Sequence, residues 1–512
     1  MDSQSTDSDK LISNNNSTTC DVDKSNKPQQ QKQNHIFLLL SEPYQWLQML
    51  SDKLNPTFIL GVFLVYGLSQ GFAGSYFKVV SDYYWKDVQK LQPSAVQLFM
   101  GFYYLPWIMK PVWGILTDVF PVRGYRRRPY FVAAGVVGFV SALTLALTGK
   151  LSVAVALGCM VGITAGVAIA DVTIDACIAR NSIQFGSLAA DMQSLCGACA
   201  SAGALVGYSV SGFFVHHLRP QGALGVLAMP SALLIVLGFV IYEPRMSVPR
   251  LEQKRAVEKV SLAVGGMYST IKYPQVWKPS LYMYLSLALS ISTHEGQFYW
   301  YTDPIAGPAF SQEFVGMIYA IGALASMLGV LIYHKFLKDY PFRNLLFFAQ
   351  LLYALSGMLD LVFILRWNIS LGIPDSLFVI CEQCVSHIVS RLRWMPMIVL
   401  STKLCPLGIE GTFFALLMCI DSLGNLSSKG GGGVMLHVFH VTRTDFSNLW
   451  LAIFVRNLLR IATLSLIFLV PEGEQTDSFI PSDILTKNVV VVGKSVDDDS
   501  IQLVPVNQKL DV

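Results

Sequence analysis

Gly114-Ile115-Leu116-Thr117-Asp118 and, after a short gap, Arg126-Arg127-Arg128 stand between two long apolar segments. The first cluster reads G-x-L-x-D. Gly114 permits two helices to approach closely. Asp118 can accept hydrogen bonds at a neighbouring helix N-terminus, where unpaired N–H groups gather partial positive charge. The arginines cross lipid only at high cost and hold the hairpin in the cytosol. Three arginines alone would mark an ordinary positive-inside loop. With Gly114 and Asp118 at this spacing they read as a clamp between helices, formed by Gly114, Asp118, Arg126, Arg127 and Arg128.

The composition around this hairpin is that of a membrane protein. Of 512 residues, 53% are hydrophobic and 14% charged, against about a quarter charged in ordinary soluble domains. A net charge of +3, with no basic cluster interleaved with aromatics in a polar segment, excludes nucleic acid as a partner. The length holds about a dozen helical spans of ~20 residues plus tails. Twelve spans are predicted near 57–77, 95–117, 130–148, 151–176, 188–215, 222–242, 279–301, 314–335, 343–365, 374–400, 407–438 and 447–470. The expected fold class is therefore an all-α polytopic membrane protein, with twelve transmembrane helices in two six-helix halves.

The domain organisation follows. Residues 1–42 form a polar N-tail, 43–242 the first half, 243–278 a basic central loop, 279–471 the second half and 472–512 the C-tail. Arg245, Arg250, Lys254, Arg255 and Lys259 in the central loop, with Arg123 and Arg126 to Arg128, place both regions on the cytosolic side. An even number of spans puts both tails there. The N-tail carries five aspartates and no apolar stretch after a basic one, which fits neither a transit peptide nor a secretory signal. Asp7 with Leu11-Ile12 matches an acidic dileucine pattern that also arises by chance. Trp46, Leu47, Leu50 and Leu54 share one helical side and suit a helix lying on the membrane surface. Lys78, Lys86 and Lys90, balanced by Asp82 and Asp87, are read as a first external loop. The pairs Cys196/Cys199 and Cys381/Cys384 share helix faces and read as packing rather than redox or metal sites. Gly430 to Gly433 are expected to unwind span eleven.

Ionisable groups at bilayer depth are functional candidates because they are costly there. Asp171 and Asp175 in span four lie on one helix face. Two such carboxylates resist double ionisation, so one can hold and release a proton. The alternative for Asp175 is a surface pair with Arg180. Span ten offers Glu382, His387, Arg391 and Arg393. A buried arginine suits a carboxylate on a substrate, or else neutralises an aspartate of span four or eleven. His294 and Glu295, near Gln297, Tyr299, Trp300 and Tyr301, can line a cavity where a flat heteroaromatic ring stacks. Lys110 and Asp421 complete the set. Arg456 and Arg460 are read as snorkelling or structurally paired. No P-loop, HExxH, Gly-x-Ser-x-Gly or kinase signature occurs, so neither ATP-driven transport nor an enzyme is supported.

The clamp resembles the loop between helices 2 and 3 of the major facilitator superfamily. A faint echo, Gly329-x-Leu331 with His334, Lys335, Lys338 and Arg343, follows span eight, as expected of facilitator halves. Further segments narrow the resemblance. They are Val65-Tyr66-Gly67-Leu68-Ser69-Gln70-Gly71, Tyr83-Tyr84-Trp85-Lys86-Asp87-Val88, Lys110-Pro111-Val112-Trp113-Gly114, Asp171-Val172-Thr173-Ile174-Asp175-Ala176, Ala179-Arg180-Asn181-Ser182, Leu400-Ser401-Thr402-Lys403-Leu404-Cys405-Pro406, Gly408-Ile409-Glu410-Gly411-Thr412-Phe413, Val441-Thr442-Arg443-Thr444 and Asn448-Leu449-Trp450. Together they resemble the folate–biopterin transporter family, especially its plant branch, over residues 43–472. Gly430 to Gly433 and Asp421 depart from the pattern expected of it.

The resemblance implies a proton-coupled secondary active transporter of folates or pterins that works by alternating access without a cofactor. It implies Asp171, Asp175, Arg180 and Glu410 as transport residues, with a helix-capping role as the alternative for Glu410. Arg391, Arg393, Glu295 and Lys110 join them from the residue reading. A carrier of another organic anion or a sugar, and a non-transporting receptor or scaffold, are the competing classes. No metal site is expected. The partners are the small molecule, protons and the lipid bilayer, the protein acting as a monomer in the plasma or vacuolar membrane.

Overall fold

Lipid offers no hydrogen-bond partner to a peptide group, so each crossing segment must pair its backbone internally. The computed structural model describes residues 45–472 except 186–187, 244, 246–264, 266–267, 269, 339 and 405–409. The tails, most of the central loop and the side chains of Asp118 and Glu410 thus lie outside the described set. Among the described residues nearly everything is helix, and the β pairing is one isolated bridge, Val122 to Tyr125, in the arginine loop. Residues 45–53 are helical and belong to a separate compact unit ending at Pro56.

The main unit runs through α1 (Pro56–Val88), α2 (Pro93–Phe102), α3 (Lys110–Val119), α4 (Arg128–Leu147), α5 (Val153–Gln184), α6 (Ala189–Gly225) and α7 (Ala228–Val240). It continues with α8 (Pro274–Ala288), α9 (His294–Tyr301), α10 (Gln312–Ile332), α11 (Phe342–Ile364), α12 (Asp375–Lys403), α13 (Glu410–Val438) and α14 (Leu449–Ala462). Among the described residues, seven helical runs are long and apolar enough to cross a membrane by length and composition. The remaining expected crossings are broken or carry several charges. Joined across their breaks, with α2–α3 and α8–α9 each taken as one, the helices make the twelve traverses of a facilitator-type fold.

Spans one, two and seven depart from their expected course. Span one does not end near residue 77: α1 continues as helix through the supposed external loop to Val88. Several of its polar residues have protein partners. Trp85 Nε1 donates to Tyr103 Oη at 2.6 Å, and Lys86 Nζ to the Thr302 carbonyl at 3.3 Å. Span two is broken at Tyr103–Tyr104 and again at Met109, where Pro106 and Pro111 open new helical turns that need no N–H from them. The long helical run of α6 kinks at Arg219, whose φ is 59°, because Pro220 disfavours the α conformation of the residue before it. Span seven is likewise discontinuous, unwound between Ala288 and His294.

The glycine run does the opposite of what was expected. α13 is unbroken through Gly430 to Gly433, and the glycines serve close packing. A Cβ at Gly432 would stand 1.8 Å from the Ser292 carbonyl oxygen. The unwound stretch of span seven rests there, with Ser292 N–H donating to the Ser428 carbonyl at 3.2 Å and Ser428 Oγ to the Ser290 carbonyl at 2.8 Å. Span seven unwinds, and span eleven supplies the surface it unwinds against.

The arginine hairpin is built around an acid that sequence reading passed over. Glu243, just after α7, accepts the backbone N–H groups of Arg126, Arg127 and Arg128 at 2.8–3.1 Å, capping the N-terminus of α4. In return Arg128 donates to the Ile241 carbonyl at 2.8 Å and the Phe239 carbonyl at 3.1 Å, closing the C-terminus of α7. Arg127 Nη1 reaches Thr117 Oγ1 at 2.6 Å and ties α3 to the same knot. The second half repeats the device. Arg343 at the start of α11 donates to the Val470 carbonyl at 2.7 Å and pairs with Glu472. The weak echo around Arg343 is thus a structural repeat.

Two outcomes test this packing. Glu243→Ala is expected to cost about 1–2 kcal/mol, read as a lower Tm of the purified protein in detergent. Glu472→Ala, at an exposed carboxylate, should change the Tm little. Gly432→Ala should abolish correctly folded protein at the membrane or force a displaced span seven, whereas Gly430→Ala, whose Cβ meets only Leu98 at 3.9 Å, should be tolerated. Equal behaviour of the two glycine variants, read by size-exclusion profile, would contradict the packing account.

Candidate transport cavity

Helices that cannot close against one another leave a cavity of about 540 Å³ between α1, α9, α11, α12, α13 and α14. α12 offers it a polar face at helical spacing, with Glu382, Ser386, Arg391 and Arg393 among its residues. Aromatic surfaces come from Trp300, Tyr301, Tyr319, Tyr353 and Trp394.

The charges in this cavity are unequally satisfied. Arg456 is consumed by structure: its Nη2 lies 2.5 Å from Asp360 Oδ2 and its Nη1 3.0 Å from Thr293 Oγ1. Glu382 accepts Ser386 Oγ and Gln383 Nε2, both at 2.8 Å. Arg393 donates to the Ser286 carbonyl at 3.0 Å and lies over the Tyr353 ring at 4.4 Å, where Arg460 faces the same ring at 4.1 Å. The Nε atoms of both arginines lack hydrogen-bond partners among the described residues. Arg391 Nε donates to Ser326 Oγ, and its guanidinium lies 5.0 Å from the Trp394 ring. No carboxylate pairs with Arg391, Arg393 or Arg460 among the described residues. The cavity therefore presents cationic guanidinium beside aromatic faces, a combination that receives a planar ligand carrying a carboxylate.

A second cluster lies toward α3 and α5. Lys110 Nζ is 2.5 Å from Asp171 Oδ2, with Asp171 almost wholly buried. One turn on, Asp175 accepts the Tyr66 hydroxyl from α1. Asp175 is exposed, yet its partner is Tyr66 and not Arg180, which is itself exposed and unpaired among the described residues. The structure thus brings Lys110, Asp171 and Asp175 together, while Arg180 stands apart from them. None of the four lines the large cavity. Trp107, 4.7 Å under Lys110 Nζ, lines a smaller cavity of about 260 Å³ that shares Lys78, Tyr104 and Lys429 with the large one.

Several charged positions at or behind the cavity escaped the sequence reading. Lys78 and Asp82 were assigned to an external loop, but they lie on α1, Lys78 at the cavity and Asp82 fully buried. Asp360, alone in an apolar run of span nine, carried the signal of a charge at bilayer depth. Lys429 was read only as the edge of a glycine run. Glu295 was named as a cavity residue, yet it is fully buried and does not line the large cavity. The cysteines of both CxxC pairs are free thiols.

Discontinuous and charged helices around a polar central cavity define a membrane transporter of the facilitator type, not an enzyme. The model of the BT1 family matches residues 70–487, and the chain belongs to that family. It is 65% identical over 457 residues, 89% of this chain and 91% of the relative, to the probable folate-biopterin transporter 6 of Arabidopsis thaliana. It is 51% identical to probable folate-biopterin transporter 2 of the same plant, covering 86% of this chain and 88% of the relative. It is 29% identical to the folate-biopterin transporter of Synechocystis sp., covering 78% of each. Among solved structures, the nucleoside transporter NupG superposes with a TM-score of 0.62 over 80% of this chain and 99% of its own at 14% identity. The inward-open xylose transporter XylE of E. coli superposes at 0.56 over 84% and 98%, with 15% identity. These two show the fold alone.

Proposed function

We propose that this protein is a proton-coupled secondary active transporter of folates or pterins that works by alternating access. The observation that carries the reading is the set of arginines in an aromatic-walled cavity, half-buried Arg391 with buried Arg393 and Arg460, none within 4 Å of a carboxylate oxygen among the described residues. A pterin ring stacks on Trp and Tyr faces. The glutamate tail of a folate meets a guanidinium fork in bidentate fashion. A neutral sugar would make no use of unpaired arginines, and a scaffold would make no use of the cavity. The names of the close plant relatives support the same substrate class.

Alternating access is supported by contacts that join the two halves at one end and by a charged tie inside the first half. On one side Arg443, in the loop before α14, donates to the Lys86 carbonyl at 2.6 Å, and its backbone N–H donates to Gln92 Oε1 at 3.0 Å. Both reach across from the last traverse to the first two. The Asp171–Lys110 and Asp175–Tyr66 contacts tie α5 to α3 and α1. A proton arriving at Asp171 would release Lys110 and loosen that tie. Glu410, at the first residue of α13, remains part of this proposal as a transport residue. In this reading both tails face the cytosol, the protein works as a monomer, and the membrane is the plasma or the vacuolar one.

Uptake by cells expressing the chain provides the test. Labelled folic acid and a labelled pterin are each expected to enter faster with an inward proton gradient. Arg391→Lys should weaken folic acid uptake about tenfold or more, the worth of about 1.5–3 kcal/mol for a charge-assisted hydrogen bond. A pterin without the glutamate tail should be little affected. Equal losses for both ligands would remove Arg391 from tail recognition. Asp171→Asn should abolish flux while the protein still reaches the membrane; unchanged flux would take α5 out of the mechanism.

A further inference from the structure

Asp82 on α1 and Glu295 on α9 are both fully inaccessible and neither lines the large cavity. Their carboxylates and the His294 ring lie within 4.8 Å of one another. His294 Nε2 stands 3.1 Å from Asp82 Oδ2 and 3.4 Å from the Tyr319 hydroxyl. Glu295 holds its backbone N–H to Gln97 Oε1 at 2.9 Å. Both of its carboxylate oxygens, and Asp82 Oδ1, have no hydrogen-bond donor among the described residues. Three orphaned acceptor atoms in one buried spot carry a large desolvation cost unless a proton is present to be shared.

The surroundings fix which ligand this spot takes. Lys78 from α1 and Lys429 from α13 face both Glu295 and His294. Lys86 of α1 also faces Glu295. Tyr103, Tyr299 and Tyr301 approach from the α2–α3 break and from α9, and Tyr319 from α10. The nearby ammonium groups offset part of the negative charge that a divalent ion would need. A single proton needs no such excess charge. It needs two acceptors close together in low dielectric, which is what this pair supplies.

We infer that Asp82 and Glu295 are a second proton-loading site of the transport cycle, besides Asp171, with His294 as the relay to the cavity. This rests on the transport reading above. When loaded, one proton forms an O–H bond on one carboxyl group and donates to the other. On release that bond breaks, the proton passes to His294 Nε2, and the ring delivers it to the cavity it lines. Asp82 belongs to the first six traverses and Glu295 to the last six. Loss of the proton leaves two like charges facing across the seam between the halves, which drives that side apart. The unwound stretch before His294, seated on Gly432, lets α9 move without dragging α8.

The test reads the site with and without substrate. Infrared difference spectra of the purified full chain are recorded from mildly acid to mildly alkaline pH. A protonated-carboxyl band is expected in the wild type and should vanish in both Glu295→Gln and Asp82→Asn, while Glu295→Asp keeps it. In proteoliposomes, Glu295→Gln should still exchange labelled for unlabelled folic acid, but an inward proton gradient should no longer raise its uptake above the gradient-free level. Retention of the band in both variants, or continued stimulation of Glu295→Gln by the gradient, overturns the assignment. Loss of exchange in Glu295→Gln together with an unaltered band would also overturn it, since that pattern is purely structural. A wild type with the expected band but no flux of folic acid or pterin would count against the substrate reading and would leave the proton site standing.

Discussion

Every charge taken into this bilayer-spanning chain has to find a partner, because lipid supplies none. Much of the architecture follows from how those charges are disposed of. Arg456 is matched by Asp360, Lys110 by Asp171, and the α4 N-terminus by Glu243. Among the buried polar atoms of the described residues that remain without a hydrogen-bond partner are the Nε atoms of Arg393 on α12 and Arg460 on α14 at the cavity, and carboxylate oxygens of Asp82 and Glu295 behind its wall. Function is assigned to the remainder, since an unmatched buried charge is retained at a cost to stability that a packed apolar residue would avoid.

The same constraint explains the broken helices. A continuous span seven would keep its carbonyls within its own ladder. Unwinding at 289–293 frees backbone groups, and α13 takes them up through Ser428 and the bare surface of Gly432. Discontinuity is tolerated in a membrane only where a neighbouring helix re-satisfies the backbone. The break and the glycines are therefore one feature, and it places His294 and Glu295 where they meet Asp82. The reciprocal cap at Glu243/Arg128 and the Arg343 contacts to Val470 and Glu472 act at the other level of organisation, tying neighbouring helix ends together.

In the proposed mechanism the cavity and the buried carboxylates divide the labour of a coupled carrier. Arg391 and its aromatic neighbours face open space of a size that suits a small ligand. Asp82 and Glu295 are closed off from that space and reach it through one ring. Separation of this kind allows substrate and proton to influence each other through helix position without competing for the same atoms, which is the physical content of coupling.

Sequence alone determined the membrane class, the twelve traverses and the buried position of Asp171 and Arg393, because hydropathy and the cost of charge in lipid are local properties. It also determined the family, because motifs such as Asp171 to Ala176 are contiguous. It misplaced Asp82 and Lys78, since a charged and aromatic stretch reads as a loop until its partners across the seam are known. It misread Gly430 to Gly433, since glycine favours unwinding and close approach alike, and only the neighbour at Ser292 separates the two. The partner of Asp175, the cap by Glu243 and the meeting of Asp82 with Glu295 join residues more than a hundred positions apart. Such pairings are properties of packing, and only the tertiary structure decided them.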